Sequence, residues 1–113
     1  MIWVKVLLKQ DTISSDFVRM IKVKNKKICL VKYQENYYAL QNNCPHAGGI
    51  LSSGWCIKGN IVCPIHRYQY NLTTGKGAQG QGDYINTYQT ELRADGLYVA
   101  IKQNWLAKIF SSK

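Results

Sequence analysis

Cys44-Pro45-His46 and, after sixteen intervening residues, Cys63-Pro64-Ile65-His66 set two thiols and two imidazoles in a pair of short, turn-prone stretches. The chain has only these 2 histidines. Thiolates are soft donors that suit iron bound to sulfide. Two neutral imidazoles in place of two anionic thiolates remove negative charge from one iron and make an electron easier to accept. A [2Fe–2S] cluster with two chemically different irons needs such a donor set. Zinc is the chemical rival, since two cysteines and two histidines also bind it tetrahedrally. Its usual spacings pair C-x2–4-C with H-x3–5-H, and C-x-H followed by C-x-x-H is neither. The plainest alternative makes Cys44 and Cys63 small buried residues, and His46 and His66 polar groups of the surface.

The neighbouring residues add to the pattern. Tyr37-Tyr38-Ala39-Leu40 precedes the first motif and Gly48-Gly49-Ile50-Leu51 follows it, with Gly54 soon after. Asn60-Ile61-Val62 leads into the second motif, and Tyr68-Gln69-Tyr70-Asn71-Leu72 runs on to Thr73-Thr74-Gly75. On these residues the chain, over about positions 18–101, resembles the Rieske family. The resemblance implies one [2Fe–2S] cluster per chain, held by Cys44, His46, Cys63 and His66. The cysteines would take a buried iron, and the histidines an outer iron through which the electron enters and leaves. The high-potential branch of the family staples its ligand loops with a disulfide. Its cysteines would fall at Gly49 and Ile65, so the chain looks like the soluble ferredoxin branch. That branch lies low in a range of roughly −150 to +300 mV. Of two hydroxyl donors in the high-potential branch, Tyr68 is too large to replace the serine. Tyr70 keeps a hydroxyl for a cysteine sulfur, unless it merely packs in the core.

Such a site needs a rigid frame, and the pattern is β-rich. Strands are expected at Trp3–Leu7, Val18–Val23, Ile28–Tyr33, Tyr37–Gln41, Tyr84–Leu92 and Leu97–Ile101, with a polar turn at Asp11–Asp16. The expected fold is all-β in one Rieske-like domain: an antiparallel sandwich or barrel base, about 1–42 and 84–103, carrying a cluster-binding lobe, about 43–83. Gly75–Gly82 has no proline and reads as a mobile loop. In the tail, 104–113, Asn104 could cap a short helix with Trp105, Leu106, Ile109 and Phe110 on one face.

At 113 residues the chain is one domain's length, and 46% hydrophobic residues suit a globular protein. Lysines interrupt the apolar N-terminus and no run nears the ~18 residues a membrane span needs, so a soluble cytoplasmic protein is expected. Cys29 and Cys56 read as free, buried small hydrophobes. The net charge is +9. Lys22, Lys24, Lys26, Lys27 and Lys32 concentrate it around one turn, which reads as a solvated edge or as a face for an acidic partner. No interleaved aromatics or recognition motif point to nucleic acid. No catalytic acid–base pair is visible. The leading expectation is therefore a non-enzymatic one-electron carrier from a reductase to an oxygenase or similar acceptor. Alternatives are a small subunit of an oxidoreductase such as nitrite reductase, or a redox-sensing interaction module.

Overall fold

The computed structural model describes residues 1–45 and 48–102. His46 and the expected C-terminal helix lie outside the described residues. Ten strands follow in chain order: β1 (Ile2–Leu8), β2 (Phe17–Val23), β3 (Lys26–Tyr33), β4 (Asn36–Gln41), β5 (Trp55–Ile57), β6 (Asn60–Val62), β7 (Gln69–Asn71), β8 (Thr87–Tyr88), β9 (Thr90–Arg93) and β10 (Gly96–Ile101). They form three antiparallel sheets, ordered β1-β10-β9, β2-β3-β4-β8 and β5-β6-β7. The first two make the base, and the third carries the lobe.

β3 joins the two parts. Ile28, Cys29, Leu30 and Val31 are all fully buried, because this strand is covered on both faces. Cys29 and Val31 pack with Leu40 against Leu51, Ile61, Leu72 and Ile85 of the lobe side. Ile28 packs instead with Val99 and Ile101, and Leu30 with Leu7 and Leu97, all from the opposite sheet. A period of two therefore sends alternate side chains into two cores. Each large aliphatic side chain so buried contributes about 1.5–3 kcal/mol.

Tight hairpins connect the strands. Lys24-Asn25, Gln34-Glu35 and Lys58-Gly59 each place two successive residues at positive φ, the twist that two-residue hairpin loops need. The polar stretch after β1 holds a 3-10 turn at Lys9–Ile13. The expected strand Tyr84–Leu92 is divided. Thr87–Tyr88 pairs with β4 and Thr90–Arg93 with β10. Between them the carbonyl of Gln89 accepts from the Ala100 amide at 2.9 Å. The segment changes sheets here, so it cannot remain one strand.

Gly54 seats β5 against the ligand-bearing side. Its φ of −92° is ordinary for any residue, but a methyl there would lie 1.9 Å from the carbonyl oxygen of Val62. Gly54→Ala is expected to cost about 1–3 kcal/mol, as overpacking does. A thermal melt should show the midpoint falling by several degrees; an unchanged melt would mean that the strands part without cost.

Candidate metal centre

Both motifs open loops of the same design. The Cys44 amide donates to the carbonyl of Gly49 at 2.8 Å, and the Cys63 amide to the carbonyl of Tyr68 at 2.7 Å. Each loop is thus closed by the cysteine's own N–H five residues on. Gly48, at φ 69°, donates back to the Cys44 carbonyl at 2.9 Å. In the second loop His66 and Arg67 are both left-handed, at φ 61° and 56°, which costs about 1–2 kcal/mol each outside glycine. Strain of this kind persists where the surrounding loop over-determines it. Pro45 and Pro64 follow the cysteines and fix the backbone at the start of each turn.

Cys44 and Cys63 are 2% and 0% exposed, and their side chains hydrogen-bond to each other. Gly49 is pressed against the pair. A methyl at that position would come within 2.6 Å of Cys63 Sγ and 3.3 Å of Ile65 Cδ1. Positions 49 and 65, which would carry the disulfide of the high-potential branch, are therefore neighbours joined by packing. His66 is exposed, with Pro64, Ile65 and Arg67 around it. The structure brings the two thiols together and leaves the imidazole at the outer side of the second loop.

Burial is the main force pushing the Cys63 thiol up; the Ile65 backbone bond opposes it and the Cys44 side chain reinforces it. A neutral Cys63 thiol is a poor nucleophile. A metal cation reverses that preference, since a coordinating thiol is deprotonated outright. Among the described residues no three Cys, His, Asp or Glu side chains gather round one point. In a two-iron group of this kind the thiolates and the imidazoles belong to different metals. The donor chemistry, the buried cysteine pair and the side-chain-free position at Gly49 fit a [2Fe–2S] group.

Tyr70 is fully buried, with its hydroxyl oxygen 3.3 Å from Cys44 Sγ. The hydroxyl donates to Asp83 Oδ2 at 2.8 Å. Burial, followed by the Cys44 and Asp83 bonds, pushes the phenol well above the usual tyrosine range and keeps it neutral. Gln81 Nε2 donates to Asp83 Oδ1 at 3.2 Å, while its Oε1 accepts from the Gln69 amide at 2.9 Å. Asp83 and Gln81 were not visible as site residues from sequence; the only signal was an acid closing a glycine-rich stretch. That stretch, expected to be mobile, is tied down. The Gly77 amide donates to the Asp83 carbonyl, the Ala78 amide to the Gln69 carbonyl and the Ile85 amide to the Gly75 carbonyl.

Lys22, Lys24, Lys26 and Lys27 are exposed around the β2–β3 turn. Lys32 is separate from them, with its ammonium donating to the carbonyls of Thr12 and Ser14. A cleft of about 590 Å³ on the base, lined by Tyr37, Tyr38, Asn86 and Thr90 among others, includes no described residue of either motif. Among the described residues no helix is long and apolar enough to cross a membrane.

The family model for the Rieske [2Fe-2S] domain matches residues 2–89. Apoptosis-inducing factor 3 of Homo sapiens is 32% identical over 74 residues, which are 65% of this chain but 12% of that protein. Ferredoxin CarAc of Metapseudomonas resinovorans is 26% identical over 100 residues, 88% of this chain and 94% of its own length. Among solved structures, the complex of reduced oxygenase and oxidized ferredoxin in carbazole 1,9a-dioxygenase contains a similar chain. It is 26% identical, with a TM-score of 0.76 over 88% of this chain and 93% of that one.

The other two cysteines are free. Cys29 is fully buried and Cys56 half-buried. Burial, with Cys56 adding, raises the Cys29 thiol to about 12, and burial, with Asp16 adding, raises Cys56 to about 11. Both folded values exceed the unfolded one, so the stability they contribute is present below about pH 9 and lost as pH rises through about 11 to 12. Iodoacetamide at pH 8 should leave both unmodified in the native protein and label both after denaturation, as read by mass spectrometry. Rapid native labelling of Cys29 would contradict its burial.

Proposed function

Because the chain belongs to the Rieske [2Fe–2S] domain family, we propose that it is a one-electron carrier that delivers electrons from a reductase to an oxygenase component. When bound, the cluster supplies a single reversible one-electron site. Cys44 and Cys63 would hold the inner iron, and His46 with His66 the outer one. The observation that carries this reading is the pairing of two buried thiols, one from each loop, with the imidazole of His66 exposed on the second loop. Buried thiolates anchor the group away from water, which protects it from exchange and hydrolysis. The exposed imidazole offers a short path for the electron to a docked partner.

The rim around the site supports docking. Ile50 and Ile65 are 44% and 43% exposed, apolar surface that a transient complex can cover. Lys22, Lys24, Lys26 and Lys27 then favour a partner with an acidic face, through attraction at a distance. The oxygenase in the solved carbazole dioxygenase complex supports the class of acceptor. A cytoplasmic location is part of the same proposal, because the ligand thiols must stay reduced until the group is loaded.

Purified protein should contain about two irons and two acid-labile sulfides per chain, and when reduced should show the low average g-value of mixed histidine and cysteine ligation. Cys44→Ser or Cys63→Ser should abolish retention of the group, and His66→Ala should remove the low-g signature. Stoichiometric zinc without iron in anaerobically prepared protein would overturn the assignment.

Reduced protein mixed with a dioxygenase terminal component should be reoxidised in a stopped-flow experiment. Raising ionic strength from 0.01 to 0.15 M shortens the screening length from about 30 to about 8 Å. The second-order rate should therefore fall if the acceptor is acidic. A rate that is flat or rises with salt would remove the acidic partner from the proposal.

A further inference from the structure

The hydroxyl of Tyr70 has one proton and two anionic claimants once Cys44 is a metal-bound thiolate. Cys44 Sγ lies 3.3 Å from the phenol oxygen and Asp83 Oδ2 lies 2.8 Å from it. The bond goes to the carboxylate. We propose that Asp83 is a positioning residue that takes the Tyr70 proton away from Cys44 and so holds the potential of the site down. This inference rests on the reading of Cys44 as a cluster ligand.

The surroundings hold the carboxylate in that role. Gln81 presents Nε2 to Asp83 Oδ1 at 3.2 Å. It cannot turn its amide round without cost, because its Oε1 accepts from the Gln69 amide at 2.9 Å. Gly77 donates its amide to the Asp83 carbonyl at 2.9 Å. A methyl on Gly77 would come within 2.6 Å of Asp83 Oδ1 and 2.8 Å of Gln81 Nε2. Backbone and side chain together keep Asp83 facing the tyrosine.

The electronic consequence follows from the direction of one O–H bond. A proton donated to a thiolate sulfur stabilises the more negative, reduced state of the site and raises its potential. With that proton directed at Asp83, the phenol oxygen turns lone pairs toward the sulfur, and the carboxylate adds its own negative charge behind it. Both effects favour the oxidised state. Electrons held at a lower potential are delivered more readily to an acceptor.

The network also names the variant that reverses it. In Asp83→Asn, the carbonyl oxygen of the new amide must face Gln81 Nε2, since the opposite orientation would set two donors against each other. Its NH₂ group then faces Tyr70 and donates to the phenol oxygen. The tyrosine proton is released toward Cys44 Sγ without change of shape or volume.

The test is a double-mutant cycle read as midpoint potential by spectroelectrochemical titration. The proteins are the parent, Asp83→Asn, Tyr70→Phe and the double variant, with iron content and the reduced-state spectrum recorded for each. Asp83→Asn should raise the one-electron equilibrium toward reduction about tenfold, which is about 59 mV. In the Tyr70→Phe background the same substitution should give no more than about a threefold change. Equal shifts in both backgrounds would show that Asp83 acts only as a charge, and no shift would show that it does not act on the site; either overturns the inference while leaving the function intact. A parent protein that binds no iron would overturn the function reading and this inference with it. Asp83→Ala, run through the same cycle, removes the acceptor without supplying a donor and should show the same dependence on Tyr70.

Discussion

Cys44 and Cys63 lie side by side in an interior whose other members, Val31, Leu40, Leu51, Ile61, Leu72 and Ile85 among them, are almost all apolar. Two thiols are tolerable there, whereas two thiolates without a counter-charge are not, since isolated charge in such surroundings is costly by several kcal/mol. A metal cation bound by both sulfurs would supply that counter-charge. Much of the architecture serves that pair. β3 supplies Cys29 and Val31 as its floor, Gly49 leaves room above it, and the two loop closures fix the direction of each Cα–Cβ bond.

The contrast between the two ends of the site comes from the same arrangement. The thiols sit on the core side of their loops and the imidazole of His66 on the solvent side, because a turn of a few residues reverses which way the chain faces. The two left-handed residues at His66 and Arg67 make that reversal possible in so short a space. One end of the site is dry and fixed, while the other is open to a partner.

The ligand motifs were legible in the sequence because their donors are close together along the chain and chemically unmistakable. β3 was legible because Ile28-Cys29-Leu30-Val31 is a short apolar run bounded by lysines, most simply a buried strand. Tyr70 is expected from sequence as a hydroxyl donor to a cysteine sulfur; the structure puts its oxygen 3.3 Å from Cys44 Sγ, but the hydroxyl donates to Asp83 instead. What it does with its proton was not legible. That depends on Asp83, thirteen residues away in sequence, on a loop whose glycine content reads as freedom until its hydrogen bonds are known. The division of Tyr84–Leu92 escaped for a related reason. Alternation along a strand says which face is buried, but not which of two sheets each half will join.

The pairing of β1 with β10 has a consequence for how the protein comes into being. Ile2 lies opposite Ile101, so this sheet cannot close until nearly the whole described chain has left the ribosome. The lobe has no such dependence, since β5, β6 and β7 are contiguous between residues 55 and 71 and pair with one another, with one further bridge from Tyr70 to Gly77. Contacts so near in sequence form with little loss of chain entropy. Pairings of such short range need no closed base, and β10 closes against the face of β3 opposite the cysteine pair.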